Sequence, residues 1–271
     1  MRLQNKVIIV TGSCTGIGKA IAERCVAEGA RVIIHGLEKE LGEEIVERLG
    51  RDKAILHIED LTNGGAPQRL VDLAMQAFGR LDAVVNNAAW VISSNIHTTD
   101  EAFMRRVLEI NTIAPFALIK AALSHLSQVR GCVLNIGSVN AYSGEPNLMA
   151  YSVSKGALMT LTRNLGDTLH RENGVRVNQI NPGWVLTENE AQRKHEQGLP
   201  EDWYTGIPKV FAPAGRILWP SEMAAAAIYW LADESGPISG QVVDLEQHPF
   251  IGRNPPKDTS TIPITVKVVN K

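Results

Sequence analysis

The sequence predicts an α/β fold in which a doubly wound parallel sheet is flanked by helices, all within a single domain. Short apolar stretches rich in β-branched residues alternate with longer amphipathic stretches, and the first apolar stretch runs directly into a glycine-rich turn. Such alternation favours right-handed βαβ units. We predict strands at 6–10, 31–35, 53–58, 83–86, 131–137, 176–180 and 241–245, and helices at 19–28, 38–49, 65–78, 100–109, 114–128, 149–171 and 222–232.

The glycine-rich turn lies between the first predicted strand and the first predicted helix. Gly12, Gly16 and Gly18 mark it, and Gly29 ends the helix that follows. Glycines allow a tight turn and a close approach of backbone to phosphate, while free N–H groups at the helix start attract an anion. The turn is therefore typical of a Rossmann-like dinucleotide site, although its Gly-x-x-x-Gly-x-Gly spacing differs from the standard Gly-x-Gly-x-x-Gly. The alternative is a tight turn that binds no ligand.

The size and charge of the chain limit the classes of function. Its 271 residues include no linker, repeat or low-complexity tract, so we expect one domain. The formal net charge of −2 argues against general binding to nucleic acid or to an anionic membrane. We see no apolar segment approaching the roughly 18 residues of a membrane span, and no signal peptide at the start. Neither a nucleic-acid nor a membrane partner is expected.

Cysteine and histidine usage also restricts the interpretation. The three cysteines, Cys14, Cys25 and Cys132, are too few and too scattered for a disulfide framework. This usage fits a reducing compartment, and we expect a cytoplasmic protein. The seven histidines include no pair at metal-ligand spacing, so we expect no metal site.

Tyr151 and Lys155 are separated by one helical turn in a predicted helix. Side chains at positions i and i+4 project from the same face, so the ammonium group is expected beside the phenol. A nearby positive charge favours the phenolate and lowers the pKa of a tyrosine. A phenol tuned in this way can exchange a proton with a substrate oxygen as general acid or base. Taken alone, the pair is more typical of an ordinary helix surface, and only the other motifs of the chain favour the functional interpretation.

These motifs occur together and in a familiar order. The chain resembles the classical short-chain dehydrogenase/reductase family from about Leu3 to Leu245. The residues that carry the resemblance are Thr11-Gly12-x-x-x-Gly16-Ile17-Gly18, Asn86-Asn87-Ala88-Ala89, Asn111, Ser138, Tyr151-x-x-x-Lys155 and Asn181-Pro182-Gly183. Ala89 departs from the glycine that usually ends the second motif.

The resemblance implies a catalytic set of Asn111, Ser138, Tyr151 and Lys155. Ser138 would hold the substrate oxygen, Tyr151 would transfer the proton, and Lys155 would tune the phenol and bind the nicotinamide ribose. Asn111 would distort its helix and hold a water that leads protons to solvent. Its alternative role is the N-cap of a helix beginning near Thr112.

The resemblance also implies which residues contact the dinucleotide. Asp60 would meet the adenine ring, with a turn or N-cap aspartate as the alternative, and Thr187 would hold the nicotinamide amide together with the backbone of Val185. The full expected set is Gly12, Ser13, Thr15, Gly16, Ile17, Gly18, Asp60, Leu61, Asn87, Ala88, Tyr151, Lys155, Val185 and Thr187.

The choice between NAD and NADP depends on the end of the second predicted strand. By resemblance, NAD-type members place an acidic residue where Gly36 stands, and NADP-type members place arginine where Leu37 stands and often a basic residue at Thr15. This chain has neither signature. The absence of a cation at these positions, with Glu38 nearby, disfavours a 2′-phosphate, so we expect NAD rather than NADP. The alternative is that His35 or Lys39 reaches a 2′-phosphate.

The resemblance implies an NAD(P)-dependent oxidoreductase that interconverts a secondary alcohol and a ketone. The segment at about 188–219 would form a substrate lid whose charged and aromatic residues suit a small hydroxylated substrate such as a sugar or polyol, although most of these charges would be expected to face water. Alternatives are a carbonyl or 3-oxoacyl reductase, a nucleotide-sugar epimerase or dehydratase, and a catalytically silent nucleotide sensor.

The domain boundaries and the assembly complete the prediction. Residues 1–248 would form the catalytic domain, and 249–271 an extension that forms an edge strand or a subunit-crossing arm, with disorder as the alternative. The family implies a homotetramer built on the helix carrying Tyr151 and the helix before it. Candidate residues for such faces, which are equally suited to the intrachain core, are Leu118, Ala121, Ala122, Ala157, Leu158 and Leu161.

Overall fold

The computed structural model describes residues 1–249, and within them the strands form a parallel sheet of seven. The strands are β1 (Val7–Val10), β2 (Arg31–Gly36), β3 (Ala54–Ile58), β4 (Ala83–Asn86), β5 (Cys132–Ile136), β6 (Arg176–Pro182) and β7 (Val242–Leu245). Their order across the sheet is β3-β2-β1-β4-β5-β6-β7. The predicted Rossmann-like α/β fold is confirmed.

The topology fixes where a ligand can bind. Strand β1 pairs with β2 on one side and with β4 on the other, and Val10 aligns with Ile34 and Val85. The chain therefore places β2 and β3 on one side of β1 and then crosses to the other side to form β4 to β7. In open parallel sheets the crevice for ligands lies at the carboxyl ends of the strands at this switch point.

Helices cover both faces of the sheet. They are α1 (Gly16–Ala27), α2 (Lys39–Leu49), α3 (Ala66–Phe78), α4 (Glu101–Leu108), α5 (Ala114–Val129), α6 (Asn140–Ser143), α7 (Met149–Asn173), α8 (Glu188–Glu196) and α9 (Pro220–Leu231). Each predicted helix has a counterpart. The sequence prediction omitted α6 and α8, and it missed the π-helical turn Glu109–Ile113 that joins α4 to α5.

The core has two halves, one on each face of the sheet. In β1, Ile8 and Val10 belong to one apolar cluster, while Val7 and Ile9 belong to the other. Successive side chains of a strand point to opposite faces, so β1, which is buried on both faces, is apolar at every position. This explains why 7–10 is a continuous apolar run in the sequence, whereas the equally buried β6 also contains polar residues.

One helical segment corrects the prediction that no stretch is apolar enough to span a membrane. The helix running from Glu101 to Val129 meets the length and composition of a span, with a mean hydropathy of 1.4 over its best window. Core helices of non-membrane proteins pass the same test, and this segment places Leu118, Ala122 and Leu126 in the core. The segment is therefore weak evidence for a membrane span.

The predicted subunit faces are partly wrong. Leu118, Ala122 and Leu158 are buried within the chain. The large apolar side chains that α5, α7 and the turn before α5 expose are different ones, namely Ile113, Phe116, Val129 and Val153. The edge strand or crossing arm predicted after residue 249 lies outside the described residues.

Candidate active site

The glycine turn packs directly against the end of β4. Gly12 has a φ of +61°, and a Cβ placed on it would lie 2.8 Å from the Cα of Ala88. A Cβ on Gly18 would lie 2.3 Å from the carbonyl oxygen of Gly12. Any side chain at these two positions would push the turn away from β4, so glycine is required there.

Polar contacts hold the turn in place. The Asn87 side-chain amide donates hydrogen bonds to the carbonyl oxygens of Thr11 and Gly12, both at 2.9 Å. The Thr11 hydroxyl accepts from the backbone N–H groups of Asn87 and Ala88, both at 3.0 Å. The prediction gave Thr11 no role of its own, although its position directly before Gly12 in the motif was a usable signal.

The residues of the turn that were predicted to contact the cofactor are buried to different degrees. Ser13 is fully buried, and its hydroxyl donates to the carbonyl oxygen of Val10 at 2.7 Å and accepts from the N–H of His35 at 3.0 Å. Its side chain is therefore occupied within the protein. Thr15 and Ile17 are partly exposed at the start of α1.

Cys14 and Glu38 pack closely against Gly36 at the end of β2. A Cβ on Gly36 would lie 2.5 Å from the Cys14 sulfur and 3.1 Å from the Glu38 Oε2 atom. The same Glu38 oxygen accepts a hydrogen bond from the Leu37 N–H at 3.2 Å. Burial, reinforced by the Glu38 charge, raises the pKa of the Cys14 thiol to about 11. The thiol is therefore protonated at neutral pH and acts as a packing group.

The Asp60 side chain stabilises a turn, which the sequence analysis gave as the alternative to an adenine contact. One carboxylate oxygen accepts from the Thr62 N–H at 2.9 Å and from the Thr62 hydroxyl at 2.7 Å. The other accepts from the Arg106 guanidinium at 2.8 Å. Both oxygens are thus engaged within the chain, and Leu61 packs partly buried against the core cluster behind them.

Ser138 and Tyr151 come together at the carboxyl end of β5. Ser138 follows the last residues of β5, and Tyr151 lies in the first turn of α7; both side chains are buried. The Ser138 hydroxyl lies near enough to the phenol to favour its ionised form. It also accepts from the N–H of Asn140 at 3.2 Å. A substrate oxygen near the phenol would therefore also be within reach of this hydroxyl.

Lys155 lies beneath the phenol, one turn further along α7. Its Nζ is 5.7 Å from the centroid of the Tyr151 ring and donates to the carbonyl oxygen of Ile136 at 2.7 Å. Burial lowers the pKa of Lys155 to about 7. Near neutral pH the amine is therefore divided between its charged and neutral forms.

The predicted acidification of the phenol is wrong for this structure. Burial raises the pKa of Tyr151 to about 12, and this effect outweighs the opposing effects of the Ser138 hydroxyl and the charge of Arg193. Removing a charged group from water disfavours ionisation more than these neighbours favour it. Tyr151 therefore holds its proton at neutral pH, which is the state of a general acid.

Asn111 links three elements behind the catalytic helix. It lies in the π-helical turn, fully buried, and its Oδ1 accepts from the Trp90 N–H at 2.7 Å. Its amide donates to the Trp90 carbonyl at 3.1 Å and to the Ser154 hydroxyl at 3.0 Å. The Ser154 hydroxyl in turn donates to the Tyr151 carbonyl at 2.6 Å. Helix α4 continues through this turn into α5, so the N-cap alternative for Asn111 is wrong.

Thr187 joins the end of the sheet to the lid helix α8. Its hydroxyl caps α8 by accepting from the Glu190 N–H at 3.1 Å. A Cβ on Gly16 would lie 3.2 Å from the Thr187 methyl group, so the lid begins in contact with the glycine turn. Val185 is buried and forms a bridge with Leu218 on the return path of the lid.

The lid has an aromatic cluster of its own. The Trp184 and Trp203 rings stack with their centroids 5.3 Å apart, and Lys194 lies 5.5 Å from the first ring and 6.0 Å from the second. The Trp184 indole N–H donates to Glu190 at 2.9 Å, and Arg193 pairs with the same carboxylate. The charge of Arg193 also favours ionisation of the Tyr151 phenol, an effect that the sequence analysis did not predict.

Metal chemistry finds no support in the described part of the chain. Residues 1–249 contain no group of three His, Cys, Asp or Glu side chains arranged to hold an ion. The cysteines Cys14, Cys25 and Cys132 are all buried as free thiols. The polar groups at the switch point are instead the glycine turn, the phenol and the lysine.

Comparisons with known proteins identify the family of the chain. The family model of short chain dehydrogenases matches residues 6–198. The chain is 34% identical over 253 residues to glucose 1-dehydrogenase 2 of Bacillus subtilis, covering 90% of this chain and 94% of that protein. It is 34% identical over 237 residues to L-fucose dehydrogenase of Mus musculus, covering 86% and 84%. It is 29% identical over 238 residues to the NADP-dependent (R)-specific alcohol dehydrogenase of Lentilactobacillus kefiri, covering 86% and 92%. The chain belongs to the short chain dehydrogenase family and is an NAD(P)-dependent oxidoreductase acting on CH–OH groups.

Proposed function

We propose that this enzyme interconverts a secondary alcohol and a ketone with NAD, and that its substrate is a sugar or polyol. The observation that carries the chemistry is the meeting of Ser138, Tyr151 and Lys155 at the carboxyl end of β5. These groups lie beside the switch point where the glycine turn ends β1. A proton-transfer group next to a dinucleotide site is what alcohol oxidation requires.

The catalytic residues would divide the work as follows. The bound nicotinamide supplies or accepts the hydride. In the reductive direction Tyr151 gives its phenolic proton to the carbonyl oxygen, and Ser138 holds that oxygen beside the phenol. In the oxidative direction Tyr151 would first lose its own proton to solvent, and the phenolate would then take the proton of the alcohol. Lys155 would bind the nicotinamide ribose and stabilise the phenolate as it forms, and Asn111 would fix α7 through Ser154.

The glycine turn fits a dinucleotide. Gly12 and Gly18 let the turn pack closely on β4, and Thr15 and Gly16 stand at the N-terminal end of α1. Backbone N–H groups at a helix start favour a diphosphate. Asp60 would contact the adenine ring. This role is assigned from its position after β3, because its carboxylate oxygens already bond to Thr62 and Arg106.

A preference for NAD over NADP is supported by the charges at the end of β2. Leu37 is exposed and brings no charge, while the Glu38 carboxylate is folded back beside Gly36. A 2′-phosphate placed there would meet a carboxylate, whereas a 2′-hydroxyl can donate a hydrogen bond to one.

This preference is tested by replacing the charges. The double variant Leu37→Arg, Glu38→Gln should shift the ratio of kcat/KM for NAD over NADP by about tenfold or more towards NADP. Leu41→Arg adds the same charge on the exposed face of α2 and should leave the ratio unchanged. A wild-type enzyme that already prefers NADP would refute the proposed preference.

The substrate proposal rests on the lid. Glu190, Arg193 and the Trp184 indole form a polar group with charges of both signs, and such a group suits a neutral molecule with several hydroxyls. Two of the similar proteins are named as dehydrogenases of glucose and of L-fucose. Trp184 is already stacked on Trp203, so any contact with a sugar ring would use the outer face of that pair.

Assembly and location complete the proposal. We place the enzyme in the cytoplasm, because its three cysteines are free thiols. A homotetramer is supported by the exposed apolar side chains Ile113, Phe116 and Val153 on neighbouring helical segments. Residues 1–248 would form the catalytic domain, with 188–219 as its lid and 249–271 as an extension.

The decisive experiment is a substrate screen with both cofactors. Sugars, polyols, hydroxy acids and ketones would be offered with NAD or NADP, and turnover followed by nicotinamide absorbance. We expect oxidation of a sugar or polyol with NAD. Tight cofactor binding without turnover of any compound would instead indicate a catalytically silent sensor, and turnover confined to ketones or 3-oxoacyl compounds would indicate a reductase.

A further inference from the structure

The backbone at the start of α1 binds a carboxylate of the proposed lid. The Glu188 Oε2 atom accepts a hydrogen bond from the Gly16 N–H at 3.0 Å. Gly16 is the first residue of α1, whose N-terminal N–H groups carry a partial positive charge. A carboxylate is therefore bound at the backbone position that a diphosphate would use.

The other carboxylate oxygen of Glu188 is also held. Its Oε1 atom lies 3.2 Å from the Lys19 Nζ, within the first turn of α1. The bonds to Lys19 and Gly16 contribute to a lowered pKa of Glu188, so the group is charged at neutral pH. One lid carboxylate thus bridges a backbone N–H and the lysine nearest to it, which is how a phosphate group would also bind.

The connection to the lid is direct. Glu188 is the first residue of α8 and follows Thr187, whose methyl group lies against Gly16. Every residue of α8 lies in the described part of the chain, and none is buried. A helix held by surface contacts can shift at low cost, because few apolar contacts are lost when it moves.

We propose that Glu188 sets the affinity for the dinucleotide by occupying the diphosphate position whenever the cofactor is absent. This inference rests on the proposed dinucleotide site. Two anions cannot share the Gly16 N–H and Lys19, so binding of the cofactor requires Glu188 to leave, and α8 moves with it. Departure of the cofactor lets the carboxylate return, which speeds release. Glu188 is thus a residue that links lid position to cofactor exchange.

The test compares cofactor binding by wild type, Glu188→Gln and Glu188→Ala. Dissociation constants for NAD and for ADP-ribose would be measured by calorimetry, without substrate. We expect both variants to bind about three- to tenfold more tightly than wild type, because the competing carboxylate is gone. Equal or weaker binding by both variants would overturn the inference.

A matched control separates competition from simple charge repulsion. Glu196→Gln removes the same charge from the other end of α8, where Glu196 is exposed and bonded only to Gln192 among its side-chain contacts within residues 1–249. We expect its affinity for NAD to equal that of wild type. A gain as large as that of Glu188→Gln would show a general charge effect and overturn the competition.

A second signal reports the movement of α8. Trp184 and Trp203 stack beside Lys194 of this helix, so their fluorescence should change when NAD or ADP-ribose binds to wild type. In Glu188→Ala this change should already be present in part before ligand is added. An identical ligand-free spectrum and an identical titration in both proteins would contradict the proposal. If wild type bound neither NAD nor NADP, the proposed function itself would fail, which is a different outcome.

Discussion

Helix α7 and helix α8 both belong to the proposed active site, but they are held in opposite ways. On α7, Tyr151, Ser154 and Lys155 are all buried, and they interact with Ser138, Asn111 and the end of β5. On α8, where each residue belongs to the described chain, none is buried, and its contacts are an N-cap, ion pairs and a stacked tryptophan pair. The proposed proton-transfer groups are thus fixed by the core, and the proposed lid is fixed by surface contacts.

This difference teaches how one domain can be both rigid and adaptable. Catalytic groups must be held in position before the reaction, because small displacements are costly. Lids must open and close for each turnover, so they are drawn from regions of low local stability. We therefore expect changes on α7 to affect turnover and stability strongly, and changes on α8 to affect binding with little effect on stability.

The largest effect should follow from Tyr151→Phe. This change removes only the phenolic oxygen from a buried ring, so the fold is retained while the proton donor is lost. We expect kcat/KM to fall by about 10²- to 10⁴-fold, with the dissociation constant for NAD within about threefold of wild type. Tyr229→Phe, on the partly exposed face of α9, is the matched control and should keep full activity. Near-normal turnover in Tyr151→Phe would rule out the assigned role.

Asn111→Ala should have the next largest effect, on stability. The change removes the side-chain partner of the Trp90 N–H and carbonyl groups, and it removes one of the two partners of the Ser154 hydroxyl, which keeps its bond to the Tyr151 carbonyl. Leaving buried polar groups without partners costs roughly 2–3 kcal/mol of unfolding free energy. Asn63→Ala, at an exposed position, should change it by less than about 0.5 kcal/mol. Urea denaturation measures both, and an equal effect of the two changes would contradict the coupling of the π-helical turn to α7.

A pH-dependent effect should follow from Lys155. Its pKa is lowered by burial from 10.5 to about 7. Between these values the unfolded chain holds more protons than the folded one, so the unfolding free energy rises with pH across this window. Below pH 7 both states are protonated and the cost of the buried charge is fully present.

The test is the difference between wild type and Lys155→Met in the cofactor-free enzyme. From pH 7 to pH 9 the unfolding free energy of wild type should rise by about 2 kcal/mol relative to that of the variant. Urea denaturation at both pH values measures the change. Parallel pH profiles for the two proteins would show that Lys155 does not carry a buried charge.

The same contrast explains what the sequence could and could not predict. The strands were predicted because full burial on two faces demands apolar, β-branched runs such as 7–10. Helix α7, which carries Tyr151 and Lys155, was predicted as one of the helix-like stretches that alternate with the strands. Helix α8 was missed because it has no apolar stripe, although Thr187-x-x-Glu190 is a capping-box pattern that marks its start.

Other features depend on burial, which residue types alone do not determine. The sequence placed a charge beside the phenol and predicted a lowered pKa, but desolvation of Tyr151 is the larger effect. Leu118 and Leu158 were candidates for a subunit face and lie in the core, while Phe116 is exposed. The π-helical turn at Asn111 inserts one residue between two helices of ordinary pattern, and periodicity does not reveal it.

The smallest effect on stability should come from Lys194→Gln in the lid. The ammonium group lies over Trp184 and Trp203, and an exposed cation–π contact of this kind contributes about 0.5–1 kcal/mol locally. Because no residue of α8 is buried, this local loss should not reach the core, and the unfolding free energy should stay within about 0.5 kcal/mol of wild type.

Lys209→Gln, at an exposed lid position, controls for the loss of charge. KM for the substrate should rise about two- to fivefold in Lys194→Gln alone, since only this change loosens the tryptophan pair. A loss of more than 2 kcal/mol in urea denaturation would show that the lid unfolds together with the core, and the contrast between α7 and α8 would then be one of exposure alone.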